Sequence, residues 1–264
     1  MNLKRRRARR IVGIDLFCGA GGMTLGAQQA GIDVIFAVEK CPHASATYRR
    51  NFPKIPLYAG DIRKVRKFPP KPRGATTVIF GGPPCQGFST SNQRTRNAQN
   101  PNNWLFKEFV RLVRLWKPDW VVMENVKGIT ETEGGRFLTS ALESLKSAGY
   151  SVSFRLLNSV DFGVPQRRTR VFIVGSRDGQ PYSFPTPSAR KITAVREAIG
   201  DLPELPNGAT IDELPYNGKA ESVYACKLRN GCPKVSGRSV CIVVRSPLSR
   251  RCQYGEPQES PRTV

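Results

Sequence analysis

The stretch Gly81–Ser89, GGPPCQGFS, sets a thiol directly behind two glycines and two prolines, at the end of the apolar run TTVIF. Prolines fix φ and remove N–H donors, and glycines let the backbone come close to another group. A cysteine held this way suits a thiolate nucleophile, Cys85. It suits equally an ordinary tight turn, and free cysteines are usually small buried hydrophobes. A carboxyl stands at a comparable place in MENV, where Glu124 follows the apolar run WVVM. Partial desolvation raises a carboxyl's pKa and lets it hold or deliver a proton near neutrality; a strand-end acid in a salt bridge is the plain alternative. QRRTR, residues 166–170, offers Arg168 and Arg170 to the same pocket with Arg167 facing solvent, or else forms a plain basic loop.

A second group of residues suits a nucleoside-bearing ligand. DLFCGAGG, residues 15–22, follows an apolar run and opens a helix, so Gly19, Gly21 and Gly22 would let backbone approach a ligand at a helix N-terminus. Glu39 closes the next apolar run, where a carboxylate takes both hydroxyls of a ribose. Asp61, in AGDIR, could accept from an adenine amino group. The glycine spacing departs from GxGxxG, because Thr24 stands where the third glycine would be. A structural turn explains the loop as well as a ligand site does.

The elements that must position these residues alternate. Strands are expected at 11–17, 34–39, 75–82, 119–126, 150–158 and 170–177, and helices at 21–31, 42–52, 105–116, 136–150 and 193–202. In the third helix Leu105, Phe109, Leu112, Val113 and Trp116 fall on one stripe. Alternation of this kind implies βαβ units and a mostly parallel sheet, an α/β Rossmann-like fold with helices on both faces. Ligands gather outside the carboxyl ends of such strands, where all the residues above fall. The chain divides by pattern into a basic disordered arm, 1–10, a catalytic domain, 11–190, and an irregular region, 191–264, whose tail from about residue 226 is basic and poorly patterned.

Composition narrows the partners. The 264 residues carry 42 Lys and Arg against 20 Asp and Glu, a net charge of +22, the electrostatic footprint of a nucleic-acid partner or, more blandly, of a generally basic surface. No apolar run approaches the roughly 18 residues of a membrane span, and no signal-type apolar segment follows the basic N-terminus, so a soluble, cytoplasmic, DNA-associated protein is expected. Seven cysteines without a leader argue against a disulfide framework. Cys226, Cys232, Cys241 and Cys252 lack zinc-type pairs, and His43, the single histidine, reads as a surface or helix-start residue, so no metal is expected.

Taken in order, DLFCGAGG, the Glu39 strand end, GDI, GPPCQGFS, ENV and QRRTR resemble the cytosine-5 DNA methyltransferases, across residues 11–175. The resemblance implies the S-adenosylmethionine-dependent methyltransferase fold, S-adenosyl-L-methionine as cofactor, double-stranded DNA as partner and, with bacterial restriction–modification enzymes in the family, a flipped cytosine as substrate. By resemblance Cys85 adds to carbon 6 of the cytosine, Glu124 stabilises the protonated ring nitrogen 3, Arg168 steadies base and adduct, and Arg170 supports the site. Cofactor contacts fall on Phe17, Gly19, Gly21, Gly22, Glu39, Asp61, Ile62 and Leu105, with Pro83 lining the pocket. Lys40 stands where the family often has an aromatic or another small-to-medium residue. The polar stretch 89–104, with Arg94 and Arg96 for phosphates, becomes a lid over the flipped base.

The family pattern then breaks. FPTPSARKITAVREAIGDLPEL and SVYACKLRN resemble the opening and continuation of a target-recognition region, but the two motifs that ordinarily follow it do not occur. A truncated, frame-shifted or split enzyme, or one with an unusual recognition domain, is expected, with activity compromised or dependent on a second chain that completes the recognition and cofactor-pocket motifs. A tRNA cytosine-5 methyltransferase on the same scaffold and a non-catalytic DNA-binding remnant are the competing readings. A nicotinamide dehydrogenase leaves PPCQGFS unexplained.

Overall fold

A computed structural model describes residues 9–84, 104–188, 192–207, 213–216, 220, 222–229 and 234–236. The chain divides into two compact units, residues 1–191 and 192–264.

The first unit is built on seven strands: β1 Ile11–Leu16, β2 Ile32–Glu39, β3 Leu57–Ala59, β4 Thr76–Gly81, β5 Trp120–Val126, β6 Ser151–Asn158 and β7 Thr169–Ser176. Their order across the sheet is β3-β2-β1-β4-β5-β7-β6. The first five pair in parallel, whereas β7 runs antiparallel to both β5 and β6. Central parallel strands are covered on both faces, which is why IVGIDL and TTVIFG read as near-continuous apolar runs rather than alternating ones.

Helix α1, Gly22–Gln29, links β1 to β2, and α2, Pro42–Asn51, links β2 to β3. Pro42 sits at the first helical position of α2, where its missing N–H costs nothing. Helices α3, Phe106–Trp116, and α4, Arg136–Lys146, cover the other face. The main core joins Val12, Ile14 and Leu16 of β1, Ile79, Met123 and Ile173 of neighbouring strands, and Phe109, Leu112, Val113, Phe137 and Leu145 of the two helices. Across the sheet, Val34, Val78 and Phe80 pack with Met23 and Ala27 of α1, and Ala37 packs with Tyr48 of α2 and Phe52 just after it. Helix α3 stops at Lys117, which takes a left-handed conformation (φ 49°, ψ 56°) just before Pro118. The expected stripe on α3 is found, except that Leu105 is the residue preceding the helix rather than part of it.

β3 was not expected from the sequence: a three-residue strand is too short to show a period. The helix expected at 136–150 ends at Lys146, and the one expected at 193–202 shortens to α5, Val195–Ile199. In the second unit, α6, Val223–Arg229, and an antiparallel pair, β8 Glu213–Pro215 with β9 Lys234–Ser236, accompany α5. There Arg229 pairs with the buried Asp201 at 2.5 Å and lies over the Tyr216 ring. Among the described residues no helix is long and apolar enough to cross a membrane, and no cluster of His, Cys, Asp and Glu could hold a metal. The basic arm, apart from Arg9 and Arg10, and Cys232, Cys241 and Cys252 of the tail lie outside the described residues; Cys226 is exposed.

Candidate functional site

β1 hands over to α1 through a loop that bends sharply at Phe17 (φ 62°) and Gly19 (φ 57°). The Gly19 N–H donates to Glu39 Oε2 at 2.8 Å, and Glu39 Oε1 accepts from the N–H groups of Lys40 and Cys41 at 2.8 and 2.7 Å. Three backbone donors therefore fix this carboxylate at the carboxyl end of β2; Oε1 already accepts two of them, and Oε2, with one, keeps a lone-pair site for a further donor. Gly21 does a different job from the one its motif suggests. A Cβ there would sit 2.1 Å from Phe52 Cε2, so the position is filled by the α2 ring. Gly22 opens α1 with free space around it.

Beneath the loop, Asp15 is fully buried. Its Oδ2 accepts from the Thr24 hydroxyl at 2.6 Å, Thr24 in turn meets the Tyr48 hydroxyl at 3.0 Å, and Asp15 Oδ1 has no hydrogen-bond partner. Burial pushes the Asp15 carboxyl up to about 7, against a partial counter-effect from Thr24. Thr24, in the third-glycine place, thus ties the first helix to the first strand.

The loop borders a cleft of about 380 Å³. Phe17, Glu39, Asp61, Ile62 and Leu105 line it, joined by Lys40, Arg63, Gly82 and Pro84. Of the cofactor residues expected from sequence, Gly19, Gly21, Gly22 and Pro83 are not in its wall: Gly19 acts through Glu39, and Pro83 is buried behind, where its carbonyl accepts from Asn125 Nδ2 at 3.1 Å. Asp61 caps the 3₁₀ turn Ile62–Lys64 by accepting from the Arg63 N–H at 3.0 Å. That bond, with the nearby Arg63 and Lys40 charges, holds the Asp61 carboxyl below its ordinary range. Two carboxylates on an apolar-flanked hollow of this size can accept from ribose hydroxyls and an exocyclic amine.

The far side of Gly82–Pro84 meets β5. A Cβ on Gly82 would lie 2.8 Å from Glu124 Oε2, so the backbone and this carboxyl are in direct contact. Glu124 Oε1 takes Arg170 Nε at 3.0 Å. Glu124 stands opposite Phe172 in the β5–β7 register and Val126 opposite Arg170, so the pair is a diagonal cross-strand contact on one face. Burial raises the Glu124 pKa, while the Arg170 and Arg168 charges oppose that rise. Arg168 is exposed, and its N–H donates to Asn158 Oδ1 at 2.9 Å. Gly82–Pro84 is therefore a partition with the carboxylate cleft on one side and the Glu124–Arg170 pair on the other. Cys85 follows Pro84 in the chain and itself lies outside the described residues, as do residues 86–103, which take in the expected lid at 89–104, with Arg94 and Arg96, apart from Trp104; Trp104 is described and packs on Phe137.

Sequence reasoning gave no role to Asn125, Asn51 or Asn158. Asn125 straps the partition to β5, and Asn51 donates to the Ala20 carbonyl at 3.1 Å. An asparagine inside an apolar strand, as in MENV, is the one signal that could have marked the first. The other two depend on long-range placement.

A model of the C-5 cytosine-specific DNA methylase family matches residues 11–254. The chain is 41% identical over 207 residues to Type II methyltransferase M1.HphI of Haemophilus parahaemolyticus, a match that covers 74% of this chain and 54% of that one. It is 41% identical over 222 residues to Type II methyltransferase M.AquIA of a Picosynechococcus strain, covering 72% of this chain and 88% of the other. In general the chain spans about half the length of the curated relatives it matches. A crystal structure of a prophage-encoded Escherichia coli protein, assigned as a DNA modification methyltransferase, is similar with a TM-score of 0.66 and 27% identity, covering 83% of this chain and 64% of that one.

Proposed function

The chain belongs to the C-5 cytosine-specific DNA methylase family, and on that premise we propose that it methylates carbon 5 of cytosine in double-stranded DNA through a covalent Cys85 adduct. The observation that carries the reading is the partition: Gly82 and Pro84 line the carboxylate cleft while Gly82 touches Glu124. Cys85 follows Pro84 directly in the chain and Gly82 by three positions.

S-adenosyl-L-methionine fits the cleft and, when bound, supplies an electrophilic methyl group. Glu39, pre-set by three backbone donors, would accept from its ribose through Oε2; Asp61 would accept from the adenine amine, with Phe17, Ile62 and Leu105 giving apolar walls. On the other side, a cytosine rotated out of the duplex, at a cost of a few kcal/mol, meets Glu124. The Cys85 thiolate forms a bond to carbon 6 as ring nitrogen 3 gains a proton held by Glu124. The electron pair of the former 5,6 double bond then resides on carbon 5, which becomes the nucleophile. After carbon 5 is alkylated, its proton passes to water, the 5,6 double bond re-forms as the thiolate leaves carbon 6, and the nitrogen-3 proton returns to Glu124. Arg170 orients Glu124, and Arg168, exposed and acting on Glu124 through its charge, reaches the base.

The proposal assigns residues 11–190 to catalysis and 191–264 to part of a target-recognition region. It includes a second polypeptide that completes the pocket and the recognition surface. A tritiated methyl-transfer assay on mixed duplex DNA, with tRNA as parallel substrate, tests both parts. Incorporation into DNA only when a partner chain is supplied is expected. Incorporation by the isolated chain that Cys85→Ser abolishes would remove the partner from the account, and incorporation into tRNA alone would replace the substrate.

A further inference from the structure

The connection from β3 to β4 must travel from the sheet's edge to its centre, across β2 and β1. In alternating α/β chains a helix ordinarily makes such a crossover. Here the 3₁₀ turn Ile62–Lys64 is followed by a strap without helix or strand, ending in FPPKPR. Its apolar side chains point inward. Ile62 and Val65 are buried in the main core, and Phe68 packs edge-on against Phe36 of β2 and Trp116 of α3, with ring centroids 5.7 and 6.2 Å apart. Its backbone is pinned from below: Arg111 donates to the Val65 and Ile62 carbonyls at 3.1 and 3.0 Å, and Trp116 Nε1 to the Pro69 carbonyl at 3.0 Å.

The exposed charged side chains of the strap are cationic. Arg63, Lys64, Arg66, Lys67, Lys71 and Arg73 are all exposed, and residues 62–75 contain no acid; of the six, Arg66 folds back onto the Arg63 and Val65 carbonyls, and Lys71 donates to the Lys117 carbonyl and lies over the Trp116 ring. Among the described residues only Arg63 of the six pairs with a carboxylate, Asp61, at 3.9 Å. A charged loop that serves solubility alone has no use for an aromatic anchor and three donors to its carbonyls. Held in place, these cations repel one another, and a polyanion relieves that repulsion without having to order the chain first.

We infer that this strap is a docking surface for the phosphate backbone of duplex DNA, outside the methylation cleft. The inference rests on the reading of the chain as an enzyme of duplex DNA. The strap leaves the rim of the cleft at Asp61 and ends at Thr76, the opposite end of β4. A strand of that length spans ~20 Å, about six base pairs at 3.4 Å each. Duplex lying along it is held on the same molecule that works on its cytosine.

The test compares two triple variants of equal charge change. One is Lys64→Gln, Lys67→Gln and Arg73→Gln on the strap. The other is Arg49→Gln, Arg50→Gln and Lys54→Gln, all exposed, on or just after α2. Tyr48 and Phe52 at this end of α2 pack with Ala37 whereas Phe68 packs with Phe36, so the two sets lie on opposite faces of β2. Binding of a labelled mixed-sequence duplex of about two helical turns is followed by anisotropy against salt. With a slope of about −0.9 per phosphate contact, the strap variant should lose up to ~2.7 from the slope of log K against log salt. The α2 variant should lose less than about one contact's worth. Single Lys67→Gln, expected to lose about 0.9, covers the case in which the triple strap variant does not fold. Unchanged strap slopes, equal losses in both triples, or a loss seen only with structured RNA of equal length each overturn the inference. Wild-type trapping on a 5-fluorocytosine duplex, with S-adenosyl-L-methionine and the partner chain present, runs in parallel. No trapping together with a strap-specific slope change sinks the methyl-transfer reading and leaves the strap standing.

Discussion

Asp15 carries a cost that pH can reveal. It is fully buried at the end of β1, with one oxygen on the Thr24 hydroxyl and the other unpartnered. Burial raises its pKa from 3.8 to about 7. The folded chain therefore keeps a proton that the unfolded chain gives up above pH 3.8, and stability falls as pH rises through that window, by about 1.4 kcal/mol per unit. The loss totals about 4 kcal/mol by pH 7 and levels off above it. Asp15→Asn keeps the shape and an acceptor for Thr24 but has no proton to lose. Relative to the wild type, its stability should rise by about 2.5 kcal/mol between pH 5 and 7.5. Urea unfolding followed by tryptophan fluorescence measures this, because all three tryptophans, Trp104, Trp116 and Trp120, belong to the first unit. A difference between the two proteins that stays constant with pH would refute the reasoning. It would mean that water or a cation reaches Oδ1 and keeps the carboxylate charged.

Gly21→Ala places a Cβ 2.1 Å from Phe52 Cε2 at a residue with φ 100°; it should lower unfolding free energy by about 3 kcal/mol in the same urea assay. Glu39→Gln turns one acceptor oxygen, now facing backbone N–H groups, into a donor; cofactor affinity measured by calorimetry should weaken at least ~10-fold. Glu124→Gln leaves Arg170 in place and removes the group that holds the nitrogen-3 proton; single-turnover methyl transfer should slow ~10²-fold or more, with DNA affinity little changed.

The sheet was legible because its central strands are buried on both faces and show as unbroken apolar runs, as in IVGIDL and WVVM. β3 was not, since three residues show no period and its pairing with β2 is set by α2 packing. The helix of the second unit at Val223–Arg229 was missed for a similar reason: seven residues with one buried position, Ala225, carry no stripe. At the site, residue types gave away what is local. Glu39 at a strand end, Asp61 ahead of a turn and Glu124 after an apolar run are visible in a string of letters. The division of labour among the glycines was not: Gly21 answers to Phe52, thirty-one positions on, and Gly19 to Glu39. Nor could a sequence show that Gly82 touches the Glu124 carboxyl, because that contact exists only once β4 and β5 lie side by side.

The central claim is the covalent bond between Cys85 and a cytosine ring. Fluorine at carbon 5 cannot be lost as a proton is, so a 5-fluorocytosine duplex should arrest the reaction at the adduct. The account predicts a denaturation-stable protein–DNA complex that forms with S-adenosyl-L-methionine and the partner chain present, maps to the peptide containing Cys85, and disappears in Cys85→Ser. Absence of any such complex, or its persistence when residue 85 is serine, would contradict it.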